Sequence, residues 1–179
     1  MRNWVRARVS LLALAGLLAG CGAGGGQPPS NREIAMAGEK GIQRAVIDTS
    51  KGRIMLDLDG VAAPIAVANF VKLVNAKFYD GLHFERATDQ ELLGGDPTRK
   101  GDGTAGYTLP DDKNNLRHIR GAMAMCSFGP GTGSCQFYIC KSDRPGQDGK
   151  DVVFGRVAEG MEVADMIVFG EQIKQITLE

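Results

Sequence analysis

The stretch FERATDQELLGGD, residues 84–96, places one arginine, Arg86, just after an aromatic strand residue. A polar run, two leucines and a glycine pair follow. A guanidinium stays charged at any physiological pH and presents a rigid fork of N–H donors. Its chemistry is therefore to donate hydrogen bonds to electron density that develops nearby. Other candidates are thin. His83 and His118 are the only histidines, and neither has a cysteine or carboxylate at metal-ligand spacing. GDGTAG and GAGGG lack the lysine and hydroxyl that a phosphate loop requires. No nucleophile carries its own base. The residues imply neither metal nor cofactor. A lone arginine can equally be a solvated side chain on an exposed strand, so its meaning depends on the elements that position it.

The chain has 179 residues, the length of one domain plus a short extra piece. That piece is at the front. Arg2, Arg6 and Arg8 precede an apolar run from Leu11 to Leu18, and Leu-Ala-Gly-Cys ends at Cys21. A basic segment, a short apolar core and small residues are the layout of a secretory signal. The core is too short for a membrane span, which needs about 20 residues. Leu-Ala-Gly-Cys resembles the bacterial lipoprotein signal, which implies acylation of Cys21, a signal over residues 1–20 and a tether to a lipid membrane. Gly22 stands where an aspartate would mark inner-membrane retention. The expected place is the cell envelope, on the outer membrane facing the periplasm in a Gram-negative source. Loss of three arginines from a chain with 21 basic and 21 acidic residues leaves 18 against 21. That mild balance argues against nucleic acid as a partner.

Residues 21–44 are glycine-rich and then mixed, and read as a flexible linker behind the lipidated cysteine. The folded domain is expected over residues 45–179. In AVIDTSKGRIMLDLDG, Ile54, Leu56 and Leu58 alternate with Met55, Asp57 and Asp59 across a Ser-Lys-Gly turn, which predicts a β-hairpin. Pro64 opens a helix in which Val67, Phe70, Val71 and Val74 recur at helical spacing. LHFERA, GAMAMCSF, CQFYIC and VVFGRV read as short strands, MEVADMIVFG as a second helix and QITLE as a closing strand. Many short strands with glycine turns predict a mainly β fold, a closed antiparallel barrel covered by two helices.

In chain order these segments resemble one family, the cyclophilin-type peptidyl-prolyl cis-trans isomerases. NFVKLVNAKFYDGLHFER is similar to the family's first helix, turn and arginine-bearing strand. GGDPTRKGDGTAGYTLPDD resembles the loop of small bacterial members, GAMAMCSFGPGTGSCQFYI the two strands flooring the binding groove, and DGKDVVFGRVAEGMEV the C-terminal signature. The resemblance runs from about Ala45 to Glu179. It implies a cyclophilin-like barrel of about eight strands, acting on proline-containing polypeptides as a monomer. The amide before proline has a rotation barrier of about 18–20 kcal/mol, while cis and trans differ by only about 0.5–1 kcal/mol. Twisting frees the nitrogen lone pair, to which a guanidinium can donate. An acceleration of about 10⁵ needs roughly 7 kcal/mol of differential stabilisation. The resemblance makes Arg86 the catalytic arginine, Gln136 the group on the substrate backbone and Tyr138 the wall of the proline pocket. It also puts Cys126 and Ser127 at substrate-binding positions. Met125 and Phe137 alternate with these and are expected in the core.

Departures from the family pattern bear on the same groove. The span from Arg86 to Gly94 is one residue short. Aligned back from the glycines, the pocket phenylalanine becomes Gln90, the next apolar position Glu91 and the substrate-binding glutamine Leu93. The pocket leucine becomes Gln147, the pocket histidine Asp151, and Gly146 replaces a tryptophan found in some members. Polar walls weaken docking of a proline ring, since apolar burial contributes about 25 cal/mol per Å². Asp151 is also positioned by the alignment to pair with Arg86. The pattern implies either a retuned isomerase or a groove that binds peptide without useful catalysis. Cys126 and Cys135 flank the GPGTG turn between strands that the family pairs, so a disulfide there and three buried thiols both remain open.

Overall fold

The computed structural model describes residues 26–179; the leader and Cys21 lie outside the described residues. Strands β1 (Ile42–Thr49) and β2 (Arg53–Asp59) form the expected hairpin, pairing Ile47 with Ile54 and Asp48 with Arg53. Ile54, Leu56 and Leu58 are fully buried, while Met55, Asp57 and Asp59 on the opposite face are only partly covered. The two-residue alternation thus selects the inward face.

Helix α2 (Pro64–Asn75) buries Val67, Phe70, Leu73 and Val74. Its N-cap, Ala63, offers no side-chain acceptor. Asp112 supplies the cap from a distant loop, accepting from the Ile65 and Ala66 amides at 3.0 and 2.8 Å. Strands β3 (Phe84–Ala87), β4 (Glu91–Gly94), β5 (Ala122–Met125), β6 (Phe137–Cys140), β7 (Val153–Glu159) and β8 (Ile173–Leu178) complete the sheet. A short helix, α3 (Met161–Met166), precedes β8. The eight strands run in the order β3-β4-β6-β5-β7-β2-β1-β8, every named pairing being antiparallel.

The eight strands form a curled sheet. Its edges β3 and β8 meet at one isolated bridge, His83 to Gln172, and at backbone hydrogen bonds around it, the Phe84 amide donating to the Glu171 carbonyl and the Gly170 amide to the Phe84 carbonyl, both at 2.9 Å. One expectation needs correction. The linker expected through residue 44 instead contains a third helix, α1 (Asn31–Lys40). Ser30 and Glu33 close a capping box at its start: the Glu33 amide donates to Ser30 Oγ at 3.3 Å, and the Ser30 amide donates to Glu33 Oε2 at 2.7 Å. Ala37 packs over Gly60, where a Cβ would lie 2.0 Å from the Ala37 carbonyl oxygen. Lys72 of α2 pairs with Glu33 at 3.6 Å. The helix forms because its cap and one apolar face have a partner surface, despite a polar composition.

The sheet separates two apolar clusters. Inside the curl, Phe70, Tyr79, Phe137 and Phe154 pack with ring centroids 5.2–5.6 Å apart around Phe70. Met125 joins them, as expected. On the outer face, Leu93, Ala122, Ala124, Tyr138, Cys140 and Val153 form a smaller cluster.

Candidate active site

The outer cluster coincides with the groove floor that the resemblance implies. Strand pairing sets Arg86 opposite Leu93, Leu93 opposite Tyr138 and Tyr138 opposite Ala124, one rung across four strands. On a regular strand Phe84 and Arg86 would share a face. They do not, because the register slips between them, with Phe84 opposite Gly94 and Arg86 opposite Leu93. This β-bulge leaves Phe84 in the interior and turns Arg86 outward beside Leu93. The arginine side chain is 56% exposed, so an incoming chain can reach it.

Arg86 does not pair with Asp151. Its Nη1 donates to Glu91 Oε1 at 2.5 Å, across the β3–β4 turn. Glu91 is buried on the groove side of β4, two residues from Leu93, and its other oxygen accepts from Arg144. The Arg144 guanidinium lies over the Tyr138 ring, 5.0 Å from its centroid. His118 stacks with the same ring at 6.0 Å, and its Nδ1 lies 3.1 Å from Asp148 Oδ1. Tyr138 is therefore only 3% exposed. Asp151 accepts from the Tyr138 hydroxyl at 2.9 Å and from the Ser127 hydroxyl at 2.6 Å. Burial, then the Asp151 charge, hold the Tyr138 phenol far above the ordinary tyrosine range, so it remains a donor. The added hydroxyl thus has its partner within the groove.

The other expected residues divide. Leu93 and Cys126 line the floor, and Ser127 flanks it. Gln90 does not wall the pocket. It is exposed at the tip of the β3–β4 turn, where the Thr88 hydroxyl accepts its amide, and Glu91 occupies the groove position instead. The shortened span is absorbed in this turn. Gln147 sits half-buried in a single 3-10 turn, Pro145–Gln147, with no side-chain hydrogen bond among the described residues. Gln136 is drawn under the glycine-rich loop, its Nε2 donating to the Gly103 and Gly101 carbonyls at 2.9 and 3.2 Å. Its Oε1 is buried without a donor. The loop is held by Asp96, which accepts from the Thr98 amide at 2.6 Å and from the Gly101 amide. A Cβ at Gly103 would lie 1.9 Å from that carboxylate.

No disulfide forms among the described cysteines; Cys126, Cys135 and Cys140 are free. The Cys126 amide donates to the Gln136 carbonyl, so Cys126 faces the groove beside Gln136, whereas Cys135 belongs to the interior cluster. Side chains on opposite faces of a sheet cannot be bridged at the Cβ separation a disulfide needs. Burial pushes the Cys126 thiol up to about 11 and Cys135 to about 12, so neither is a thiolate at neutral pH. Beside Arg86, the bulge residue Glu85 has both carboxyl oxygens buried and unpartnered. Burial first, then repulsion from Asp96, raise it from 4.5 to about 7.

Sequence reading missed the roles of Arg144 and His118 and treated Glu91 only as a lost apolar wall. Strand alternation with Leu93 could have placed Glu91 in the groove. Arg144 lies in a connection with no periodic signal.

Comparison with known proteins identifies the family. The family profile described as "Cyclophilin type peptidyl-prolyl cis-trans isomerase/CLD" matches residues 44–177. A peptidyl-prolyl cis-trans isomerase of Synechococcus elongatus is 36% identical over 76% of this chain and 97% of its own length. One from Helicobacter pylori is 39% identical, over 74% of this chain and 84% of its own. The structure of a Cryptosporidium parvum cyclophilin type peptidyl-prolyl cis-trans isomerase superposes with a TM-score of 0.71 at 26% identity, covering 77% of this chain and 98% of that one. The chain belongs to the cyclophilin-type peptidyl-prolyl cis-trans isomerase family, enzymes of X-Pro bond rotation.

Proposed function

We propose that this isomerase works through Arg86 on the outer face of the curled sheet. The observation that carries the reading is the single rung from Arg86 through Leu93 and Tyr138 to Ala124, a cation at one end of an apolar floor. A proline ring laid on Leu93 and Tyr138 puts its amide nitrogen beside the guanidinium. Arg86 commits only Nη1 to Glu91, so its Nε–H and Nη2 donors have no acceptor among the described residues. They supply the hydrogen bond to the nitrogen lone pair that twisting exposes, stabilising the transition state more than either planar isomer. No proton moves and no covalent bond forms. Cys126 and Ser127 flank the docked segment, and Gln136 offers its unpartnered Oε1 to a backbone N–H.

The related Cryptosporidium enzyme was solved in the presence of the dipeptide Ala-Pro. By that likeness the substrates here are extended X-Pro segments of unfolded or flexible polypeptides. Acylation of Cys21 would tether the enzyme to a membrane of the cell envelope, where it would act on envelope proteins as a monomer. A second reading, a groove that binds peptide without useful turnover, is favoured by the cover that Arg144 lays on Tyr138.

The test is cis-to-trans isomerisation of a short Ala-Pro peptide by the purified protein, with Arg86→Ala alongside. Turnover that falls at least about 100-fold in the variant supports Arg86 as the catalytic group. A folded wild-type protein with no rate above background would remove the catalytic reading and leave the binding one. Exclusion of Cys21 from acylation would be seen as an unmodified N-terminal mass in membrane fractions.

A further inference from the structure

One charged side chain, Arg144, lies over the candidate groove floor with no part in the proposed isomerisation. Arg144 has its backbone fixed on both sides: its amide donates to the His118 carbonyl at 2.6 Å, and its carbonyl accepts from the Gln147 amide at 2.9 Å. Its side chain is 16% exposed and makes its polar contacts through its far end. The guanidinium donates to Glu91 and lies over the Tyr138 ring. Glu91 is the shared anchor, binding Arg86 through one oxygen and Arg144 through the other, with its side chain 9% exposed. The guanidinium lies over one face of the ring, area against which a docking proline ring would bury its apolar surface.

We propose that Arg144 is the specificity-determining gate of the proline pocket, latched by Glu91 over Tyr138 and displaced when a proline ring docks. The inference rests on the groove of the proposed function being the substrate site. Its physical basis is a contrast in how the pocket is filled. An aliphatic side chain in that place would be packed permanently, as in a core. An arginine is joined to its backbone by a flexible stem and is readily hydrated at its head, so it can swing into solvent without leaving a buried charge behind. Glu91 keeps Arg86 as a partner when Arg144 leaves, so the carboxylate is not stranded. The same latch holds Arg86 on the groove face. Glu91 is therefore a positioning residue for the catalytic arginine, while Arg144 sets access to the ring. The gate raises the apparent KM because only the open fraction accepts substrate.

The experiment compares wild-type protein, Arg144→Ala and Arg144→Lys in steady-state isomerisation of a short Ala-Pro peptide. Arg144→Ala lowers KM at least about threefold, with the gain in kcat/KM carried by KM. Arg144→Lys keeps a charge for Glu91 but loses the planar cover, so its KM falls between the two. In an Arg86→Lys background, which keeps a cation for Glu91, Arg144→Ala still tightens peptide binding, read by NMR titration; a merely structural role would not produce that. An unchanged or raised KM in folded Arg144→Ala overturns the gate and leaves the isomerase reading intact. If Arg144→Ala fails to fold, Arg144→Lys decides by the same KM criterion. Should the wild type prove inert, titration decides: tighter peptide binding by the Arg144 variants supports the gate, and equal binding overturns it. Loss of the isomerase reading and loss of the gate are thus seen in different measurements.

Discussion

Phe137 and Tyr138 are neighbours on β6, both nearly inaccessible to water, and lie in opposite surroundings. Phe137 points into the curl and meets Phe70 and Tyr79 edge-on, with centroids 5.6 and 5.5 Å away. Tyr138 points outward and is covered by Arg144, His118 and a carboxylate. The first ring is held by dispersion and by exclusion of water, which vanish only if the fold opens. The second is held by polar groups that water or a ligand can replace. Equal burial therefore rests on unequal interactions. The interior is scaffold, and the outer face is where the proposed gate would act.

Removing each ring's surroundings should expose the difference. The largest effect is expected inside. Phe137→Ala should cost about 3–5 kcal/mol of stability, measured by urea unfolding, because the rings around it cannot collapse into the space. A loss below about 1 kcal/mol would show that the two sides do not differ as described. Next comes Arg86→Ala, with the opposite signature. It should move the unfolding midpoint far less, since Arg86 is largely exposed and the buried Glu91 carboxylate keeps Arg144 as a partner. Catalysis should fall by at least about 100-fold in kcat/KM, roughly 2.7 kcal/mol of transition-state stabilisation.

Tyr138→Phe sharpens the comparison more gently. It keeps the ring but removes the donor to Asp151, leaving that carboxylate to Ser127. A loss of roughly 1 kcal/mol in urea unfolding is expected, with peptide binding retained because the apolar floor survives. The smallest effect belongs to Glu85 at the bulge. Its folded-state value is raised from 4.5 to about 7, so the native state holds the proton more tightly than the unfolded chain does. The favourable contribution is fully present below about 4.5 and is lost as pH rises through about 7. Glu85→Gln should therefore stabilise the protein by roughly 1 kcal/mol at pH 8, a figure discounted for solvent screening, and by little at pH 4. Urea midpoints at both pH values check the sign; a gain confined to low pH would contradict the burial of this carboxyl.

Much of the scaffold was legible because its signals are periodic. The β1–β2 hairpin follows from Ile54, Leu56 and Leu58 alternating with polar partners, and α2 from its apolar stripe behind Pro64. Strand β4 escaped because all four of its residues are buried, so ELLG shows no alternation. Helix α1 escaped although Ser30 and Glu33 carry a capping signal, since its composition resembles that of a linker. In the site, Arg86, Leu93 and Tyr138 were brought together on one rung of the sheet. Gln90 was not, because a shortened turn takes up the missing residue at its tip, where no packing fixes the alignment.

The sequence by itself determined the alternating strands, the first packed helix, the arginine type and the aromatic ring of the groove. Each depends on local periodicity or on side-chain chemistry that survives any arrangement of the chain. Tertiary structure alone decided which way Arg86 faces, through a bulge of one residue, and which carboxylate it meets. It also decided that Arg144, 58 positions further along the chain, shares Glu91 with it. Those outcomes depend on strand register and on loops meeting across the sheet, where a shift of one residue turns a side chain to the other face.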